Sequence, residues 1–135
     1  MQLSASLRDT LGDAIDADVG ATGFARFYTA ALATLLASAS CNNPAFGASS
    51  SGAITLDVSP AVEDTSPAAA GTCARLGFYQ NNTATSGAAA QSFMLGVATS
   101  GSPDVTMSNN VIATTDTVQI SSLVITVPAG TPDVT

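Results

Sequence analysis

Carboxylates are the side chains of this sequence best suited to chemistry. The 135 residues include ten Asp and Glu, three Arg, no Lys and no His. Four aspartates fall close together, at Asp9, Asp13, Asp16 and Asp18. Spaced carboxylates can bind calcium, but an EF-hand loop needs Gly at its sixth position and Glu at its twelfth. Counted from Asp13, those positions hold Asp18 and Phe24, so the motif fails and we interpret the aspartates as a solvated acidic face.

Glycoside hydrolysis is a second chemistry that carboxylates alone can perform. Glu63 or Asp64 could form a carboxylate pair with Asp57 or Asp104. Such sites usually carry aromatic platforms for the sugar, and the sequence has no Trp and only two Tyr. The GxSxG, HExxH, Walker A and GxGxxG patterns are also missing. We therefore expect no enzyme activity, no catalytic residue, no cofactor and no metal ion.

Two cysteines, Cys41 and Cys73, are too few for a disulfide framework or a zinc site. They could form one disulfide if the fold brings them within bridging distance. In a reducing cytoplasm, two free thiols are the better interpretation. Because the chain has no His, an activated Cys–His nucleophile is excluded.

An amphipathic helix opens the chain. An apolar residue recurs every four positions, which places these side chains in one stripe along a helix. The stripe consists of Leu3, Leu7, Leu11, Ile15 and Val19. The pattern predicts a helix over residues 3–19 that is capped by Ser4 or Ser6 and ended by Gly20. We expect its core face to be Leu3, Leu7, Leu11 and Ile15. On that basis Leu11→Asp should abolish folding, because it would bury an unpaired charge.

Short strands are predicted over the β region, residues 24–127. Alternation of apolar and polar residues, or aromatic content, marks most of them. The predicted strands are 24–29, 31–37, 53–59, 73–80, 91–98, 105–107 and 117–127. Residues 38–52 and 60–71 are predicted loops, the first anchored by a buried Phe46. In the last strand the alternation changes phase at Ser121–Ser122, which predicts a bulge or bend.

The pattern as a whole predicts a mainly β fold, a small antiparallel β-sandwich with one N-terminal amphipathic helix. We expect a single domain over residues 1–128 and a C-terminal tail over 129–135. Hydrophobic residues make up 46% of the chain, but much of this is Ala and aromatic residues are only 5%. We therefore expect a thin core that gains stability from assembly.

The net charge of −7 limits the partners of this chain. Nucleic acids and anionic membranes both require clustered Lys or Arg, whereas Arg8, Arg26 and Arg75 are scattered. No segment reaches the ~18 apolar residues of a membrane span. The opening residues have no basic region before an apolar one, so we expect no secretory signal and folding in a cytoplasm.

Four segments together resemble a family of small virion proteins of tailed bacteriophages. They read LSASLRDTLGDAID, RFYTA, NPAFGASSSGAITLD and DVTMSNNVIATTDTVQISSLVITVP. The resemblance lies in the order of elements and in short patterns across most of the chain. The two cysteines, the loop at 60–72 and the proline-containing tail depart from the family pattern.

The resemblance implies a structural role in the virion, first as a capsid decoration (cement) protein. Such a protein would bind the major capsid protein on the capsid exterior after folding in the bacterial host cytoplasm. It would form a homotrimer, in which we expect protomers to share β edges. The alternative is a tail or tail-tip component that binds the host surface. A carbohydrate-binding module remains open as well, using the loops at 41–52 and 79–87 with Tyr28 or Tyr79.

Overall fold

The computed structural model describes residues 1–81 and 91–131. It confirms a mainly β fold with one N-terminal helix. The helix α1 spans Ala5–Val19. The strands are β1 (Phe24–Tyr28), β2 (Leu35–Ser40), β3 (Ala53–Thr55), β4 (Val62–Asp64), β5 (Gly71–Thr72), β6 (Arg75–Tyr79), β7 (Gln91–Ala98), β8 (Val105–Thr106), β9 (Val111–Ile112), β10 (Val118–Ile120) and β11 (Val124–Thr126).

A five-stranded sheet forms one layer, with the strand order β2-β1-β6-β7-β8. Its strands pair antiparallel except at the β7–β8 edge, where Val97 lies opposite Val105 in a parallel pair. Three two-stranded ribbons, β3–β11, β4–β10 and β5–β9, complete the strand pairing among the described residues. Buried residues of these ribbons, including Ile54, Val62 and Ile112, join the same core as the inner face of the sheet. This arrangement agrees with the predicted sandwich.

Aromatic rings fill the centre of the core. Phe78 and Phe93 from neighbouring strands stack with their centroids 4.8 Å apart. Phe46, from the loop after β2, lies 5.5 Å from Phe78 and is 1% exposed. The prediction that Phe46 anchors this loop is therefore confirmed. Much of the remaining core is small: Ala25, Ala37, Ala39 and Ala45 are all buried.

The strand predicted at residues 31–37 is displaced toward the C-terminus. Residues 30–34 instead form the turn between β1 and β2, where Leu32 has a φ of 55°. The N–H of Leu32 donates to the carbonyl of Thr29, and the N–H of Thr29 donates to the carbonyl of Thr34. These local bonds end the pairing of β1, so β2 begins only at Leu35.

Three short strands were not predicted. The strand β4 falls inside the segment predicted as a loop, β5 begins at the last residue of that segment, and β9 follows the Asn109–Asn110 turn. Each has two or three residues, too few for an alternation of apolar and polar side chains to be recognised in the sequence. The predicted break at Ser121–Ser122 is confirmed, because β10 ends at Ile120 and β11 begins at Val124.

The first residues of the predicted tail are held against the N-terminal segment. The N–H of Leu3 donates to the carbonyl of Ala129 at 2.7 Å. Just before it, the N–H of Val127 donates to the carbonyl of Gly52 at 2.8 Å. Residues 132–135 lie outside the described residues.

Candidate functional site

Three aspartates of α1 hold the loop that precedes β3. The carboxylate of Asp16 accepts from the N–H of Phe46, and that of Asp13 accepts from the N–H of Ser49, both at 2.8 Å. The carboxylate of Asp9 accepts from the N–H of Gly52 at 2.6 Å. Since a loop offers N–H groups without strand partners, the carboxylates supply the acceptors that those groups need. The interpretation of these aspartates as a solvated face is therefore wrong for Asp9 and Asp16, which are half-buried, whereas Asp13 is exposed as predicted.

A glycine allows this close approach. Gly12 is buried on the same side of α1 as the three aspartates. A Cβ atom there would lie 2.5 Å from Ser49 Oγ and 3.1 Å from the Ile54 side chain. The helix thus contacts the body through small and acidic residues and through Ile15, which packs against the core. Val19 is fully buried at its C-terminal end.

The predicted core face of the helix is wrong at Leu7 and Leu11, whereas Ile15 packs against the core as predicted. Leu7 is 45% exposed and Leu11 is 41% exposed, while Leu3 and Ile15 are only half-buried. Hydrogen bonding to the loop turns the aspartates inward, and this rotation carries the leucines outward. The helix does begin after the predicted cap, because Ser4 Oγ accepts from the N–H of Leu7. Leu11→Asp is no longer expected to abolish folding.

The remaining aspartates also accept hydrogen bonds. Asp57 and Asp64 each accept from the N–H two residues onward, at Ser59 and Ser66, which is the geometry of an Asx turn. All eight described aspartates accept at least one hydrogen bond, seven of them from a backbone N–H. The eight are Asp9, Asp13, Asp16, Asp18, Asp57, Asp64, Asp104 and Asp116.

Two of these carboxylates lie at opposite sides of the five-stranded sheet. Asp64 accepts from the N–H of Ser38 on β2, and Asp104 accepts from the N–H of Gly96 on β7. The strands β2 and β7 are three strand spacings apart in the sheet, a distance of about 14 Å. The two carboxyl groups of a glycosidase are at most about 9.5 Å apart, so Asp64 and Asp104 do not form such a pair. Among the described residues, no cluster of three His, Cys, Asp or Glu could hold a metal ion.

The two cysteines are free, buried and far apart. Cys41 lies beside the start of β1, where its N–H donates to the carbonyl of Gly23. Cys73 lies beside the other end of β1, because the N–H of the next residue, Ala74, donates to the carbonyl of Tyr28. The length of β1 between them is about 14 Å, and a disulfide needs Cα atoms within about 7 Å. Burial raises the pKa of Cys41 to about 11 and also raises the pKa of Cys73. Both thiols are therefore protonated and weakly nucleophilic at neutral pH.

The two tyrosines belong to a second, smaller core on the outer face of the sheet. Tyr28 is 2% exposed and Tyr79 is 0% exposed, with ring centroids 6.1 Å apart. The guanidinium of Arg26 lies 5.3 Å from the centroid of the Tyr79 ring. Burial raises the pKa of Tyr79 to about 12. Neither ring can serve as the sugar platform that the sequence suggested, and most of the loop at 79–87 lies outside the described residues.

A small pocket of about 170 Å³ lies between β8 and residues 119–123. Its polar lining comes from hydroxyl and amide groups, such as those of Thr106, Gln119 and Ser122. None of its lining residues is ionisable. The pocket can therefore bind through neutral hydrogen bonds, but its side chains supply neither an acid nor a base.

Comparisons with protein-family models, curated proteins and solved structures find no match. The described residues also contain no helix that is long and apolar enough to cross a bilayer. The candidate site must therefore be argued from the geometry of this chain.

The outward face of α1 is one of the exposed apolar features of the described residues, beside the exposed side chains of Val111 and Val124. We define the outer stripe as Leu7, Leu11 and Ala14, all exposed. Residues three and four apart are neighbours on a helix surface, so the three side chains form a continuous apolar strip. Sequence reasoning found these leucines but assigned them to the interior. The spacing of Asp9, Asp13 and Asp16 is an equally regular helical stripe and could have indicated the side that docks.

Proposed function

We propose that this protein is a non-enzymatic structural component of a tailed phage virion. Within that class, we propose a capsid decoration protein that binds the major capsid protein on the outer face of the head. The observation that carries the proposal is the use of the aspartates. Every described aspartate accepts a hydrogen bond within the fold, which supports a structural use of these carboxylates over a catalytic one.

Charge and composition favour the capsid exterior. A chain of net charge −7 is repelled by the packaged genome and is better suited to the outside of the shell. A core rich in alanine buries little apolar area per residue, and binding to a lattice stabilises such a domain by mass action. The resemblance of the helix and of the loop at residues 43–57 to small virion proteins points in the same direction.

The first test of the proposal is the copy number of this protein in purified virions. Quantitative mass spectrometry should give a one-to-one ratio to the major capsid protein, or a simple fraction of it. Purified protein should also bind to empty capsids that lack it. A few copies per particle would instead favour a tail or tail-tip component, and absence from particles would refute a virion role.

A further inference from the structure

The β2 edge of the five-stranded sheet is closed to an added strand. The carbonyl of Leu36 accepts from the N–H groups of Ala68 and Ala69, and the carboxylate of Asp64 accepts from the N–H of Ser38. Strand addition needs free backbone groups along the edge. These contacts therefore leave the opposite edge, at β8, as the place where the sheet could be extended.

The β8 edge presents free backbone groups. The N–H of Met107 donates to the carbonyl of Ala98 on β7, and Val105 lies opposite Val97 in the same parallel pair. Since the backbone groups of successive residues point to opposite sides of a strand, the N–H and C=O of Thr106 point away from β7. Thr106 is exposed, and neither group has a hydrogen-bond partner among the described residues. It therefore offers one donor and one acceptor to a further strand.

The pocket beside this edge is a slot between two segments of backbone, and we call it the β8 slot. Its walls are residues 105–108 and residues 119–123, and its floor includes Phe27 and Leu76 of the central strands. Next to it lies a second, open depression of about 340 Å³ that shares Met107 with the slot. Polar walls above an apolar floor suit an extended segment that hydrogen-bonds through its backbone and points one apolar side chain inward.

The sequence contains a segment of this kind twice. Residues 103–106 and 132–135 both read PDVT. The first copy already docks on this sheet, because Asp104 accepts from the N–H of Gly96 at 2.7 Å and Val105 packs against the core. The second copy offers the same acceptor and the same apolar side chain in the same order.

The direction of the chain places the occupant of the slot in another copy. From Leu123, which lines the slot, the chain runs along β3 to Val127. These five residues cover about 13 Å, and the carbonyl of Ala129 is then held by the N–H of Leu3. Four residues reach at most about 14 Å. Residues 132–135 would therefore use their whole length on the way back and could not lie in their own slot.

We propose that residues 132–135 of one copy enter the β8 slot of another copy as an added antiparallel strand. With Val134 opposite Val105, Asp133 lies opposite Thr106 and exchanges both backbone hydrogen bonds with it. Val105 points toward the core, and side chains directly opposite each other lie on the same face of a sheet. Val134 therefore points toward the apolar floor of the slot. This contact between copies goes beyond the proposed function and does not depend on a virion role.

Charge sets the direction of the added strand. A parallel strand with Val134 beside Val105 would place Asp133 beside Asp104, and like charges directly opposite each other are destabilising. The antiparallel direction places Asp133 beside the uncharged Thr106 instead. A strand of four residues makes few hydrogen bonds, so we expect weak binding between free copies, with a dissociation constant on the order of 1 mM.

A peptide titration on the wild-type chain tests the slot. The probe is the heptapeptide AGTPDVT, residues 129–135, added up to about 5 mM, above the expected dissociation constant. The amide resonances of Thr106 and Ser122, one on each wall, should shift and saturate. The same peptide with Val134→Asp should bind at least tenfold more weakly. The absence of shifts at the highest concentration would overturn the proposal, as would equal shifts with both peptides or shifts confined to residues outside the slot.

Disulfide capture tests whether the occupant belongs to another copy. Opposite residues in a hydrogen-bonded antiparallel pair have Cα atoms about 5.5 Å apart, within the range of a disulfide. A chain with Thr106→Cys and Asp133→Cys should form linked pairs of chains under mild oxidation. The control chain with Ala30→Cys, in the exposed turn after β1, and Asp133→Cys should form far fewer.

Circular dichroism establishes that both double variants are folded. A disulfide that closes within single chains would overturn the assignment to another copy, and so would equal yields of linked pairs from the two double variants. Both measurements use the purified chain without capsids. Their failure would therefore refute this inference alone, and a failure to find the protein in virions would refute the proposed function alone.

Discussion

Individual aspartates in this protein serve as hydrogen-bond acceptors for the backbone. A carboxylate has several acceptor sites and no donor, so one aspartate can satisfy two N–H or O–H groups of a loop. Asp9 does this for the N–H of Gly52 and the hydroxyl of Ser49. This role explains why a chain with short strands and long connections is so rich in Asp relative to Glu: the shorter side chain reaches nearby backbone groups.

Replacing Asp9 should destabilise the fold. Asp9→Ala leaves the N–H of Gly52 without its acceptor, and hydrogen bonds to charged groups contribute about 1.5–3 kcal/mol. Because Asp9 is only partly buried, we expect a loss of about 1–2 kcal/mol in the free energy of unfolding, measured by urea denaturation. Asp9→Asn keeps an acceptor oxygen and should lose less. Glu63→Ala, at an exposed position, should change stability little, and an equal loss there would contradict the argument.

Alkaline pH should destabilise the protein through its buried acids. Burial raises the pKa of Cys41 from 9.0 to about 11 and that of Tyr79 from 10.0 to about 12. Because these folded-state pKa values are raised, Cys41 and Tyr79 lose their protons in the unfolded chain first as the pH rises. The contribution of the two protonated side chains to the free energy of unfolding is therefore complete below pH 9. It is then lost as pH rises through the folded-state values. Thermal melts between pH 7 and pH 11 should show a falling Tm above pH 9. Cys41→Ala should show a shallower fall, and a flat profile in wild type would contradict the prediction.

At the scale of elements, the strands with a clear period were predictable and the docking of the helix was not. Phe93, Leu95 and Val97 alternate on β7, and the structure places all three against the core. The three-residue β4 forms because β10 lies beside it, a tertiary cause that local sequence does not contain. The helix was positioned wrongly because apolar periodicity was taken as the only signal for a buried face, although hydrogen bonds to a loop determine the orientation of α1.

Gly12 tests how closely α1 must approach the loop. In an isolated helix Gly→Ala is stabilising by about 1 kcal/mol. At Gly12 the new Cβ would lie 2.5 Å from Ser49 Oγ, so Gly12→Ala should instead destabilise by about 1–3 kcal/mol through overpacking. Thr10→Ala on the exposed side is the matched control and should be neutral or stabilising. Combining Gly12→Ala with Ser49→Gly should recover part of the loss in urea denaturation. A stabilising Gly12→Ala would mean that the helix does not pack closely on this loop.

For the molecule as a whole, the distribution of charge is more informative than its sum. The chain carries a net charge of −7, yet Leu7, Leu11 and Ala14 form an exposed uncharged strip on α1, which ends at the exposed carboxylate of Asp18. Composition correctly indicated that alanine contributes much of the core, and the pattern of short strands correctly indicated a mainly β fold. It gave no indication of which surface stays apolar, because that depends on the rotation of one helix. The leucines of the candidate site were thus visible in the sequence as a helical stripe, but they were predicted to face the interior and they face solvent in the structure.

The contact between Leu3 and Ala129 also determines how the molecule would respond to a mechanical load. The N-terminal segment, the C-terminal segment and Gly52 meet at one junction through backbone hydrogen bonds. A force that pulls Leu3 and Ala129 apart would load these bonds one after another, so the junction would unzip at low tension. The five-stranded sheet, whose strands would shear together, would resist to a higher tension.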